Sequence, residues 1–93
     1  MPVYQVRLRS KKVRKQLDDI SPPDFDLVDA KLMALRGNPR PRGCRKLVDN
    51  IYRVRAGAYR IIYHINDAER LVDVGKIARR TEQTYKNIED LFR

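Results

Sequence analysis

Ile51-Tyr52-Arg53-Val54-Arg55-Ala56-Gly57-Ala58-Tyr59-Arg60-Ile61-Ile62-Tyr63-His64-Ile65 is the stretch that decides the fold. It is rich in β-branched and aromatic residues, which suit a pleated, half-buried surface. Ile51 to Arg55 and Ala58 to Ile65 read as two strands, and Ala56-Gly57 separates them by a distance that suits a tight hairpin. Alternation sorts the side chains: Tyr59, Ile61, Tyr63 and Ile65 take one face of the second strand, and Arg60, Ile62 and His64 the other. The Tyr/Ile set is the better core face. Arg53 and Arg55 share a face of the first strand, beside Arg60.

Outward from this hairpin, Arg70 to Ala78 is a third apolar run, set off by Asn66-Asp67-Ala68-Glu69. A last helix is expected from Thr81, an N-cap residue, with Glu82 in its first turn and Tyr85, Ile88, Leu91 and Phe92 on one face. Upstream, Val3 to Leu8 alternates as a first strand. Ser10 caps a helix over Lys11 to Asp19, with Val13, Leu17 and Ile20 inward. Pro22 and Pro23 restart a second helix, where Phe25, Val28, Leu32 and Leu35 recur at helical steps until Gly37 stops it. Residues 37–43 are a Gly/Pro loop. The order β-α-α-β-β-β-α predicts an α+β fold, an antiparallel sheet with an N-terminal helical hairpin against one face. The 93 residues suit one domain, 1–93.

Lys and Arg total 21 against 12 Asp and Glu, a net charge of +9. So large an excess on a small domain implies an anionic partner. No apolar stretch approaches the roughly 18–20 residues of a spanning helix, and no leader peptide is visible, so neither a membrane nor export is expected. Cys44, the one cysteine, cannot close an internal disulfide, and a single His accompanies it. No metal site, no Cys–His catalysis and no cofactor are expected, and a reducing cytoplasmic setting is.

The basic residues are not scattered. Asn50 to Asn66 holds three arginines and no acidic residue. An ordinary solvated face mixes signs, because like charges on neighbouring strands repel. Arginine suits phosphate, which its planar fork binds bidentately. Arg7, Arg9, Lys11, Lys12, Arg14 and Lys15 form a second basic run, read first as a solvated helix face and second as an RNA contact. Arg40, Arg42, Arg45 and Lys46 are expected to reach RNA backbone from a mobile loop.

Tyr52-Arg53-Val54-Arg55-Ala56-Gly57-Ala58-Tyr59-Arg60-Ile61-Ile62-Tyr63 and Val74-Gly75-Lys76-Ile77-Ala78-Arg79-Arg80-Thr81-Glu82-Gln83-Thr84-Tyr85 together resemble the sheet-and-tail signature of the RelE/ParE toxin superfamily. The pattern covers mainly residues 44–86. For the RelE branch, the resemblance implies an endoribonuclease that cuts messenger RNA in the ribosomal A site, the 2′-hydroxyl attacking the adjacent phosphate. By position, Arg60 matches its phosphate-binding arginine, Arg80 the arginine that stabilises the leaving group, and Tyr85 its C-terminal tyrosine. Arg53 and Arg55 fall where that branch commonly has two lysines, and Lys76 and Arg79 complete the phosphate-binding set. Arginine at 53 and 55 is a poor general base, with a pKa of about 12.5–13.8. Tyr85 is therefore the expected base or orienter, although its helical spacing also suits a core residue.

The resemblance also implies an acidic antitoxin partner in a hetero-oligomer, with mRNA and ribosomal RNA as targets. Two other functions fit the same fold: a ParE-like inhibitor that poisons DNA gyrase by binding, and an RNA-binding module without chemistry. The set Arg60, Arg80 and Tyr85 favours the nuclease.

Overall fold

The computed structural model of the chain describes residues 3–80 and 88–92. The elements run β1 (Gln5–Leu8), α1 (Lys11–Asp18), α2 (Asp24–Ala34), β2 (Arg45–Val48), β3 (Ile51–Ala56), β4 (Tyr59–Asn66), β5 (Leu71–Arg79) and a 3-10 helix, Ile88–Phe92. The α+β architecture expected from the sequence is present. Five strands form one sheet in the order β1-β5-β4-β3-β2. Its three pairings from β2 to β5 are antiparallel, and β1 joins β5 in parallel.

Three differences from the sequence reading concern which elements form and how they pair. The first is an additional strand, β2, which follows the Gly/Pro loop. Its four residues, RKLV, carry no alternation, and pairing with β3 is what makes them a strand. The second is the β1–β5 pairing, set by contacts more than 60 residues apart along the chain. The third is the C-terminal end, where Ile88–Phe92 is a 3-10 helix. Thr81 to Asn87, the expected start of an α-helix, lies outside the described residues.

The β3–β4 turn is Gly57-Ala58, one residue later than the spacing suggested. Gly57 has φ +60°, a left-handed conformation that an L side chain resists, and a Cβ there would stand 2.9 Å from Leu27 Cδ1. Ser10 caps α1 by accepting from the Val13 N–H at 3.4 Å.

The core lies between the helices and one face of the sheet. Val13, Leu17, Ile20, Val28, Leu32 and Leu35 pack against Val54, Ile61, Tyr63, Ile65, Val72, Val74 and Ile77. Each such side chain stabilises the fold by about 1.5–3 kcal/mol when fully buried. The opposite, open face carries a smaller cluster of Ile51, Ile62 and Ile88, with Leu91 and Phe92 packed on it.

A β-bulge in β5 divides that strand. Ile62 pairs with Lys76 but Tyr63 pairs with Val74, which leaves Gly75 as the extra residue. Val72 and Val74 face the helices; strict alternation would send Lys76 the same way. The bulge instead sends Ile77 to the core and turns Lys76 and Ala78 to the open face. The tip of the Phe92 ring meets Gly75, where a Cβ would stand 2.6 Å from Phe92 Cζ.

Arg40 pins the loop between α2 and β2. Its guanidinium donates to both Asp67 oxygens, at 3.1 and 2.8 Å, and to the Tyr52 hydroxyl at 3.1 Å. The Tyr4 hydroxyl also donates to Asp67. The buried Tyr63 hydroxyl donates to the Pro39 carbonyl at 2.7 Å, and burial pushes its phenol pKa up. The hydrogen bonds from Arg40, then that from Tyr4, lower the Asp67 carboxyl from the ordinary 3.8 to about 2. A carboxylate held below its unfolded value stabilises the fold above that value, and the contribution is lost as pH falls through the folded one. Arg40→Ala is therefore expected to lower Tm at neutral pH, by an amount that shrinks as pH falls from about 3.8 through about 2 and leaves only the contribution of the Arg40 contacts with Tyr52. Thermal melts of both proteins across that interval test it; a constant gap would detach Asp67 from the effect.

Candidate functional site

The strand register gathers the basic residues on the open face. Arg45 pairs with Arg53 across β2 and β3, and Arg55 with Arg60 across β3 and β4. Ile62, two residues from Arg60, pairs with both Arg53 and Lys76. Arg45, Arg53, Arg55, Arg60 and Lys76 thus share one face over four strands, whose neighbours stand about 4.8 Å apart. Two of these pairings set like charges directly opposite each other, which opposes folding.

The row has graded exposure. Arg55 is exposed, whereas Arg53, Arg60 and Lys76 are half-buried. Arg60 Nε is shielded from solvent. Opposite Arg60 stands the small Ala78. The apolar floor is Ile51 and Ile62, 5 % and 0 % exposed. The result is a shallow basic surface with a dry floor and side chains held from below.

Asp73 is the only carboxylate in the five strands. It pairs with His64, at the far end of the open face from the Arg55–Arg60 pair. Arg7 Nε, at 3.2 Å, and Arg9 neutralise it. The basic half of the sheet therefore has no strand carboxylate of its own. His64 lies under the C-terminal helix, its ring 5.8 Å from that of Phe92, which separates it from the arginine row.

The expected site residues divide accordingly. Arg53, Arg55, Arg60 and Lys76 come together. Arg80 follows β5, its N–H donating to the Ala58 carbonyl at 2.9 Å, so the ladder runs one step further beside the same hairpin. Arg79 does not join them. It pairs with Tyr59, its guanidinium 5.3 Å from that ring, on the helix side of the sheet. The bulge at Gly75 explains this, because it exchanges the faces of every later residue in β5. Tyr85 lies outside the described residues. Arg40 is held by Asp67 rather than reaching outward, and Arg45 stands on a strand rather than in a loop. Arg45 was visible in the sequence as a basic residue, but its place in the row depends on β2. Among the described residues, no three His, Cys, Asp or Glu side chains gather to hold a metal ion, and no helix is long and apolar enough to cross a membrane.

A family model, that of the ParE toxin of the type II toxin–antitoxin system parDE, matches residues 8–84. This chain belongs to the RelE/ParE toxin family. A Methanocaldococcus jannaschii protein that bears the name toxin RelE1 is 34% identical over 82 residues, spanning 83% of this chain and 90% of that protein. The RelE–RelB complex of Pyrococcus horikoshii contains a chain that matches with TM-score 0.78 at 26% identity, covering 86% of this chain and 98% of that one. The isolated RelE toxin of Escherichia coli matches with TM-score 0.72 at 15% identity, over 87% and 88% of the two chains, a likeness of fold. This RelE/ParE chain is a toxin of a type II toxin–antitoxin system.

Proposed function

We propose that this toxin is a ribosome-dependent endoribonuclease that cleaves messenger RNA by attack of a 2′-hydroxyl on the adjacent phosphate. The observation that carries the reading is the alignment of Arg53, Arg55, Arg60 and Lys76 on one acid-free half of the sheet. Attack on the phosphate gives a pentacoordinate phosphorane with more negative charge than the substrate. Fixed guanidiniums therefore stabilise the transition state above the ground state. Arg60 holds the scissile phosphate, Arg53 and Arg55 hold its neighbours, and Arg80 steadies the leaving oxygen. Tyr85 takes or orients the 2′-proton. The chemistry uses no metal or cofactor.

The relatives supply the partner. The Pyrococcus horikoshii neighbour is a complex of RelE with RelB, and we assign this toxin a cognate antitoxin. With +9 on the toxin, that antitoxin is acidic.

Primer extension on a reporter mRNA in a cell-free translation system, with wild type and Arg80→Ala, tests the reading. Cuts at in-frame codon positions that vanish in the variant are expected. Intact mRNA would overturn it. Inhibition of gyrase supercoiling in the same preparation would then establish the binding-only reading instead.

A further inference from the structure

We propose that a basic cleft between β1, the β5 bulge and the start of α1 is a second RNA-binding surface, sequence-independent, for the strand that flanks the sheet site. The inference rests on the RNA reading above and adds a place to it. The cleft has a volume of about 540 Å³ and is lined by Arg7, Arg9, Lys12, Gly75, Asp90 and Leu91, with Ser10 at its rim. Gly75 immediately precedes Lys76, the β5 member of the arginine row. The cleft thus continues the sheet site around the edge where β1 ends and α1 begins.

The lysine charges at the start of α1 do not serve the fold. Lys11 and Lys12 occupy the first two positions of α1, whose first turn has no acidic residue, while Asp18 and Asp19 stand at its far end. Both groups oppose the helix dipole, which favours acidic residues at the start and basic ones at the end. Lys15 is relieved by Asp19, at 3.1 Å. Lys11 and Lys12 are exposed and have no carboxylate partner among the described residues. Arg7 and Arg9 lean on Asp73, which is 5 % exposed, so three lining cations, Arg7, Arg9 and Lys12, stand against Asp73 and Asp90 among the described residues.

The lining favours RNA over an acidic protein. Leu91 is its one large apolar side chain, whereas a protein interface needs an apolar centre. Lysines act as point charges on phosphates and read no base. The cleft therefore adds affinity and a path for the strand, and no sequence preference.

The test compares wild type with Lys12→Ala, binding two RNA oligonucleotides by fluorescence anisotropy over a range of salt. One RNA is only as long as the sheet is wide, and the other is several times longer. For the long RNA, the salt slope of log K is expected to fall by about 0.7, the value for one phosphate contact on a single strand. For the short RNA it stays the same. Tm is expected to be equal to wild type or higher, since Lys12 opposes the dipole. An unchanged slope for the long RNA, or an equal fall for both, would overturn the inference while leaving the sheet site intact. An unchanged slope with weaker binding of an oligoglutamate peptide would overturn it in favour of an acidic protein. Failure of wild type to bind either RNA would remove the RNA reading and this one with it.

Discussion

Arg60→Ala is expected to slow RNA cleavage by about 10²–10³-fold in kcat, the loss seen when one preorganised donor to a developing anion is removed. The size of the effect follows from the position of Arg60. It is half-buried on β4, flanked by Arg55 across the hairpin and by the short Ala78 on β5. A guanidinium shielded at Nε cannot reorient in water at the moment of reaction, and its surroundings screen it less than bulk solvent would. Its field is already in place when charge grows on the phosphorane. The loss should therefore fall on kcat rather than KM. Arg60→Lys keeps the charge without the planar fork and should recover part of the rate. Single-turnover cleavage in a cell-free translation system separates the terms. A raised KM with kcat unchanged would make Arg60 a ground-state binder and move the chemistry to Arg80.

Where side-chain periodicity decides, the sequence was a sound guide. The β3–β4 hairpin has one apolar core face, Ile61, Tyr63 and Ile65, and one face bearing Arg60, and two-residue alternation is enough to sort them. The helices were equally plain, since Val13 and Leu17, then Val28, Leu32 and Leu35, repeat at turn spacing. What stayed hidden depends on distant pairing. β2 exists because β3 offers it a hydrogen-bonding edge, and no local pattern in Arg45–Val48 announces that. The faces of β5 turn on one extra residue. Counting by twos from Val74 assigns Lys76 to the core, and only the pairing of Ile62 with Lys76 shows the bulge. Arg79 was assigned to the phosphate set by its nearness to Arg80 in sequence, but the same register turns it onto Tyr59. Arg40 was read as a free loop cation because Asp67, its partner, is 27 residues away.

Gly75→Val should destabilise the protein by about 1–3 kcal/mol, the range for forcing extra atoms into a packed site. In a domain of this size, each 1 kcal/mol moves Tm by about 4–8 °C. The cause is not backbone conformation, since Gly75 is not among the residues with positive φ. It is the ring of Phe92, whose Cζ and Cε1 would stand 2.6 and 2.8 Å from a new Cβ. Something must move, and the one-turn C-terminal helix is held mainly by Ile88, Leu91 and Phe92 against Ile51 and Ile62. Lifting Phe92 also ends its contacts with the Arg9 guanidinium, 5.6 Å from the ring, and with His64. The apolar floor beneath the arginine row is then opened to water. Phe92→Ala alone loses the same contacts without the clash. In Gly75→Val/Phe92→Ala the valine meets no ring, so the two losses should not add, and the double variant should be more stable than their sum by about 0.5–3 kcal/mol. Urea unfolding of the four proteins closes the cycle. Additive losses would mean that Gly75 and Phe92 act independently, and that the bulge holds Lys76 on the open face without help from the C-terminal helix.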